Sequence, residues 1–126
     1  MEAVGLFLGT LMQSRNQAHI YHLQVQGMGS FAAHKALNEY YDAIVDNIDG
    51  IAESYQGRYG KLVGYTIPGD LREYSNVDGL ITYFSGLDMF VDKIRTQIPQ
   101  DSYIQNQIDE ITTLIASTNY KLKMLS

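Results

Sequence analysis

Residues His22–Glu53 read HLQVQGMGSFAAHKALNEYYDAIVDNIDGIAE and hold two of the three histidines in the chain. The run Gly27-Met28-Gly29 interrupts the pattern, since two glycines around one residue signal a turn between helices. Before it, Leu8, Leu11, Met12, Arg15, His19, His22 and Val25 recur at the three-and-four spacing of one helix face. After it, Ser30 reads as an N-cap, and the segment that follows is helical to Ser54 or Gln56. The stretch is therefore a helix end, a tight turn and a long second helix.

Working outward, residues 57–79 carry the turn signals Gly57, Gly60, Gly64, Pro68-Gly69, Asn76 and Asp78-Gly79 around a short candidate helix at Asp70–Tyr74. Leu80 to Ile98 is apolar enough for a third helix. Pro99, followed by Asp101 or Ser102, marks a stop and a fresh start for a fourth helix ending near Leu125. Ile104, Ile108, Ile111, Leu114, Ile115 and Leu122 form its expected buried stripe. Four helices joined by two short links and a long crossover between the second and third predict an all-α, ferritin-like four-helix bundle. At 126 residues the chain is expected to be one domain, 1–126, with a single core.

Composition narrows the function classes. There is no cysteine, which removes disulfides, thiolate ligands and a cysteine nucleophile. A formal charge of −5 with only nine Lys and Arg residues opposes DNA binding, which draws its affinity from many cationic contacts with phosphate. The apolar opening MEAVGLFLGTLM carries an acid at Glu2 and falls short of the roughly 20 residues that cross a bilayer, so no membrane association and a cytoplasmic location are expected. No Ser/His/Asp arrangement stands out, and the glycines at 57, 60 and 64 follow a helix with no Lys-Ser/Thr after them, unlike a phosphate-binding loop.

The second helix carries the chemistry. At about 100° per residue, with His34 at zero, Asn38 falls near 40°, Asp49 near 60°, Asp42 near 80° and Glu53 near 100°. One quadrant thus gathers every candidate ligand, but a rise of about 1.5 Å per residue leaves His34 and Glu53 roughly 28 Å apart in one straight helix. An antiparallel pairing with a second copy about a two-fold axis removes the difficulty. A single register sets His34 opposite Glu53 and Asn38 opposite Asp49, making two equivalent sites per dimer. Imidazole with carboxylate suits iron better than calcium, and zinc fits the same ligand types. No Glu-x-x-His tetrapeptide is present, which disfavours a di-iron centre within one subunit.

The segment HIYHLQVQGMGSFAAHKALNEYYDAIVDNIDGIAE, residues 19–53, resembles the signature of the Dps family of starvation-type mini-ferritins. That pattern is His-x-x-His-Trp, a glycine, Phe-x-x-His with an aspartate four residues later, and Asp-x-x-Ala-Glu. More loosely, Gly60, Pro68–Tyr74 and Tyr120–Leu125 resemble the family's post-helix connection and closing helix. The resemblance implies an iron-binding protein that oxidises Fe(II) with hydrogen peroxide or oxygen at an inter-subunit ferroxidase site and stores the ferric product. It implies a closed dodecameric homo-oligomer, and iron-ligand roles for His22, His34, Asp49 and Glu53. Asn38 stands where the family has an aspartate, and Leu23 where it has a tryptophan.

Other residues receive plainer readings. His19 is expected to pack beside the site, and Asp42 and Asp46 to extend an acidic face into water. The ten tyrosines are expected at helix interfaces. A competing function is a non-catalytic helical assembly protein whose metal site has degenerated at Asn38.

Overall fold

A computed structural model describes residues 2–125. The described residues form four α-helices, α1 (Glu2–Gln24), α2 (Ser30–Tyr59), α3 (Val77–Ile94) and α4 (Ser102–Met124), with a 3-10 turn at Arg95–Gln97. The described residues contain no strand. The result is an all-helical bundle.

Polar contacts at matching heights give the helix directions. Ser14 on α1 meets Tyr40 on α2 (2.6 Å), and near the other end of the pair His22 meets His34, so α1 and α2 are antiparallel. Glu39 with Lys121 (2.6 Å) and Ser54 with Gln107 (3.1 Å) set α2 antiparallel to α4. Ser85 with Asn119 (3.2 Å) and Arg95 with Asp109 (2.7 Å) do the same for α3 and α4. Between the helices lies one continuous core containing Phe7, Leu11, Leu37, Tyr40, Ile44, Ile51, Phe84, Val91, Ile104, Ile108 and Ile111. Tyr40 is wholly enclosed, and its burial pushes the phenol pKa far up. Ser14 gives its own proton to the Leu11 carbonyl (2.6 Å), so Tyr40 is the donor in their hydrogen bond.

Several boundaries differ from the sequence reading, each for a local reason. Gly29, at φ 80°, is the N-cap of α2 and Ser30 is already helical. The chain re-enters the helix through a left-handed residue, which glycine adopts without steric cost. α2 runs on to Tyr59, so Gly57 lies inside it. On α1 the buried line is Val4, Phe7, Leu8, Leu11, Ser14, Ala18 and Tyr21; Met12, His19 and His22 border it, and Arg15 is exposed. Leu114 on α4 is only half-buried.

Asp70–Tyr74 forms no helix, and the cause is on α1. Residues 60–76 have no regular structure, so their backbone groups need partners elsewhere. Gln17 accepts from the Arg72 N–H (2.6 Å) and donates to the Arg72 carbonyl (2.8 Å). Gln24 accepts from the Tyr74 N–H (2.8 Å) and also meets Glu73, while Gln13 donates to the Gly69 carbonyl (3.2 Å). Lower on the same face the Thr66 N–H bonds the Gly5 carbonyl (3.2 Å). The connection is thereby laid along α1 in the direction α1 itself runs. Its closest approach is at Gly9, where an added Cβ would overlap the Thr66 carbonyl oxygen.

Two predictions follow from these contacts. Gly→Ala inside a helix ordinarily stabilises by about 1 kcal/mol, and Gly57→Ala, with no atom within 4 Å of the new Cβ, is expected to do so. Gly9→Ala is expected to destabilise by about 1–3 kcal/mol instead, because the connection must move off α1. Urea unfolding of the two variants reads the opposite signs.

The Lys121 ammonium hydrogen-bonded to Glu39 holds that carboxyl below its ordinary value. A depressed folded pKa gives stability that is complete above the unfolded value of 4.5 and fades as pH falls through the folded one. Glu39→Gln is expected to flatten the acid limb of a stability-against-pH curve below about pH 4.5, leaving the curve at neutral pH lower than wild type.

Candidate metal centre

The turn at residues 25–29 brings the last turn of α1 against the first turn of α2, and with it the two histidines. His22 Nδ1 lies 2.9 Å from the His34 carbonyl oxygen, and His34 Nδ1 lies 3.0 Å from the His22 carbonyl oxygen. The rings stack at a centroid distance of 3.6 Å with planes 25° apart. A carbonyl oxygen only accepts, so in both bonds the ring nitrogen donates. Both rings therefore carry a proton on Nδ1, and in the neutral imidazole the lone pair lies on Nε2. Donating Nδ1–H to a backbone carbonyl is the arrangement that fixes the tautomer and ring angle of a metal-binding histidine. It also does plain structural service here, since the His22 carbonyl belongs to the last turn of α1 and gains the partner it lacks within the helix.

Around the pair lies a second row of polar groups. His19 stacks on Tyr41 at 4.5 Å, and Tyr41 sits edge-on to His22 at 5.3 Å. The Tyr41 hydroxyl donates to Asn38 Oδ1 (2.6 Å), and Asn38 Nδ2 donates to Asp42 (3.1 Å). His19 thus packs beside the pair, its ring centroid 6.0 Å from that of His22. Tyr41 was absent from the sequence reading. Its spacing, three residues past Asn38 and seven past His34, was the available signal, masked by the ten tyrosines of this chain.

Asp49 and Glu53 are exposed on the far half of α2. Because α2 is unbroken from Ser30 to Tyr59, Asp49 stands roughly 22 Å and Glu53 roughly 28 Å from His34 along its axis. Among the described residues, no three His, Cys, Asp or Glu side chains gather closely enough to hold a metal ion. One chain assembles the nitrogen pair and leaves the carboxylates apart. Asp49 lines a shallow groove of about 340 Å³ with Met12, Arg15, Asn16, Val45 and Ile48, while Asp42 and Asp46 face outward between the two ends. The apolar side chains Leu23, at 71% exposure, and Phe31, at 78%, flank the histidines.

A family model described as a family of unknown function, DUF5856, matches residues 22–122. The chain belongs to DUF5856. No curated protein and no solved structure matches it. The match covers α2, α3 and nearly all of α4, so the histidine pair and both distant carboxylates of this DUF5856 chain lie inside it. No helix among the described residues is long and apolar enough to cross a membrane.

The tautomers are directly measurable. Two-bond proton–nitrogen correlations at pH 8 are expected to show His22 and His34 as Nδ1–H with unprotonated Nε2. Nε2–H signals from either ring would contradict the geometry.

Proposed function

We propose that this DUF5856 chain is a mini-ferritin of the Dps type, a ferritin-like bundle with a long crossover between α2 and α3 that takes Fe(II) as substrate at a site shared by two copies. The observation that carries the reading is the His22–His34 pair, with two Nε2 lone pairs presented at one end of a helix whose other end presents Asp49 and Glu53 on the same face. Antiparallel apposition of two α2 helices supplies the nitrogen ligands from one copy and the carboxylates from the other. The exposed acids Asp42 and Asp46 between the two ends favour the approach of a cation.

In the proposed reaction two Fe(II) ions reduce one hydrogen peroxide, taking up two protons, to give two Fe(III) and two waters; oxygen is the alternative acceptor. His22 and His34 hold iron through nitrogen, Glu53 of the second copy anchors or bridges, and Asp49 ligates or orients. Zinc, with the same ligand preferences, is expected to compete. The proposed assembly is a homo-oligomer, up to a closed dodecameric shell that stores the ferric product, in the cytoplasm. DNA is not a proposed partner, given the net charge of −5.

One observation favours a second reading, a helical assembly protein without ferroxidase chemistry. Asn38, at the position where a carboxylate would ligate, is neutral and already uses its oxygen to accept from Tyr41.

Anaerobic Fe(II) titration followed by peroxide separates the two. Wild type is expected to oxidise iron at least about tenfold faster than His34→Ala and Glu53→Gln, a loss of about 1.4 kcal/mol of barrier lowering. Asn38→Asp is expected to be faster still. Background-level oxidation by wild type and His34→Ala alike would sink the ferroxidase reading.

A further inference from the structure

On the opposite side of the bundle from the α1–α2 hairpin, α3 and α4 flank a groove of about 540 Å³ that none of the described residues fills. Its walls are apolar and open: Met89 is 70% exposed, Tyr120 55% and Met124 67%. A contiguous patch of large apolar side chains on a small protein marks a contact surface. Ala116, also exposed and lining the groove, is small enough to let another helix come close.

Two polar features say what covers it. Asn119, only 9% exposed, lines the floor; its Nδ2 donates to Ser85, and its Oδ1 has no partner. Asp88 and Lys123 also line the groove, and neither forms an ion pair among the described residues. Because α3 and α4 are antiparallel, Asp88 and Lys123 lie on opposite sides of the Ser85–Asn119 level, about 4.5 Å and 6 Å from it at 1.5 Å per residue.

We propose that the α3–α4 groove docks a second copy of this chain about a two-fold axis crossing it at the level of Asn119. Such an axis sets Asp88 of each copy opposite Lys123 of the other and packs Met89 and Met124 across the seam. An isologous patch must be self-complementary, and a groove carrying one acid and one base at nearly equal distances from its centre meets that condition. This contact is separate from the α2 face used for iron. It does not rest on the proposed function, since the groove pairs two copies whether or not α2 takes iron.

Sedimentation of the full chain tests it. Asp88→Lys and Lys123→Asp each place like charges opposite one another twice per interface, and each is expected to lower the assembled mass at least twofold at micromolar protein. The double variant D88K/K123D restores the pairing with reversed polarity and is expected to recover the wild-type mass. Met89→Ser, at a side chain too exposed to matter for folding, is expected to weaken assembly as the single charge reversals do. Wild-type mass in both single variants, failure of the folded double variant to recover, or a monomeric wild type each overturns the proposal. Peroxide-driven iron oxidation, followed in the same variants, reports on the α2 face independently.

Discussion

The amide of Gln17 bonded to both backbone groups of Arg72 is the contact on which the arrangement of α3 and α4 depends. Seventy-odd residues into the chain, the connection has no helix to satisfy its own N–H and C=O groups, and α1 provides the substitute. Gly5 and Gly9 let the strand of chain lie directly on the helix, and Gln13, Gln17 and Gln24 continue the same stripe upward with side-chain amides. An amide side chain both donates and accepts, so it replaces a backbone neighbour without placing a charge at the packed surface. The path of the connection then decides that α3 starts beside the end of α1, and α4 follows from α3 through the short turn at Arg95–Gln97.

The same economy of partners governs the other end of the bundle. His22 and His34 close the α1–α2 turn by donating to each other's carbonyls, an interaction that joins two helices and fixes two tautomers at once. The structural and chemical readings of the pair do not compete, because the nitrogen that holds the turn is not the nitrogen offered to a metal. Asn38 behaves differently. Held between Tyr41 and Asp42, it accepts from one and donates to the other, and a change there alters the polar row behind the histidines as well as the local charge.

Charge is distributed with equal consequence. Acids concentrate on the outward face of α2, while the α3–α4 groove mixes one acid and one base with apolar walls. Two such acidic α2 faces would repel if brought together, whereas the mixed charges of the α3–α4 groove carry no such penalty. The molecule thus carries two surfaces of different physical character, an acidic one on α2 and an apolar, mixed-charge one between α3 and α4.

By itself the sequence determined the number of helices, most of their core residues and the shared face of His34, Asn38, Asp49 and Glu53. Those features follow from the 3.6-residue period and from glycine and proline signals, which act within a few residues of where they are read. It did not determine that Asp70–Tyr74 stays extended, that Gly29 and not Ser30 caps α2, or that Tyr41 stands against His19 and His22. Nor did it disclose the stripe of glycines and glutamines on α1 that holds the connection, since neither residue type registers in a hydrophobic pattern. The connection, its stripe and the Tyr41 contacts were decided only by the tertiary structure, because they depend on partners distant in the chain, while the Gly29 cap turns on a left-handed backbone that a hydrophobic pattern does not register.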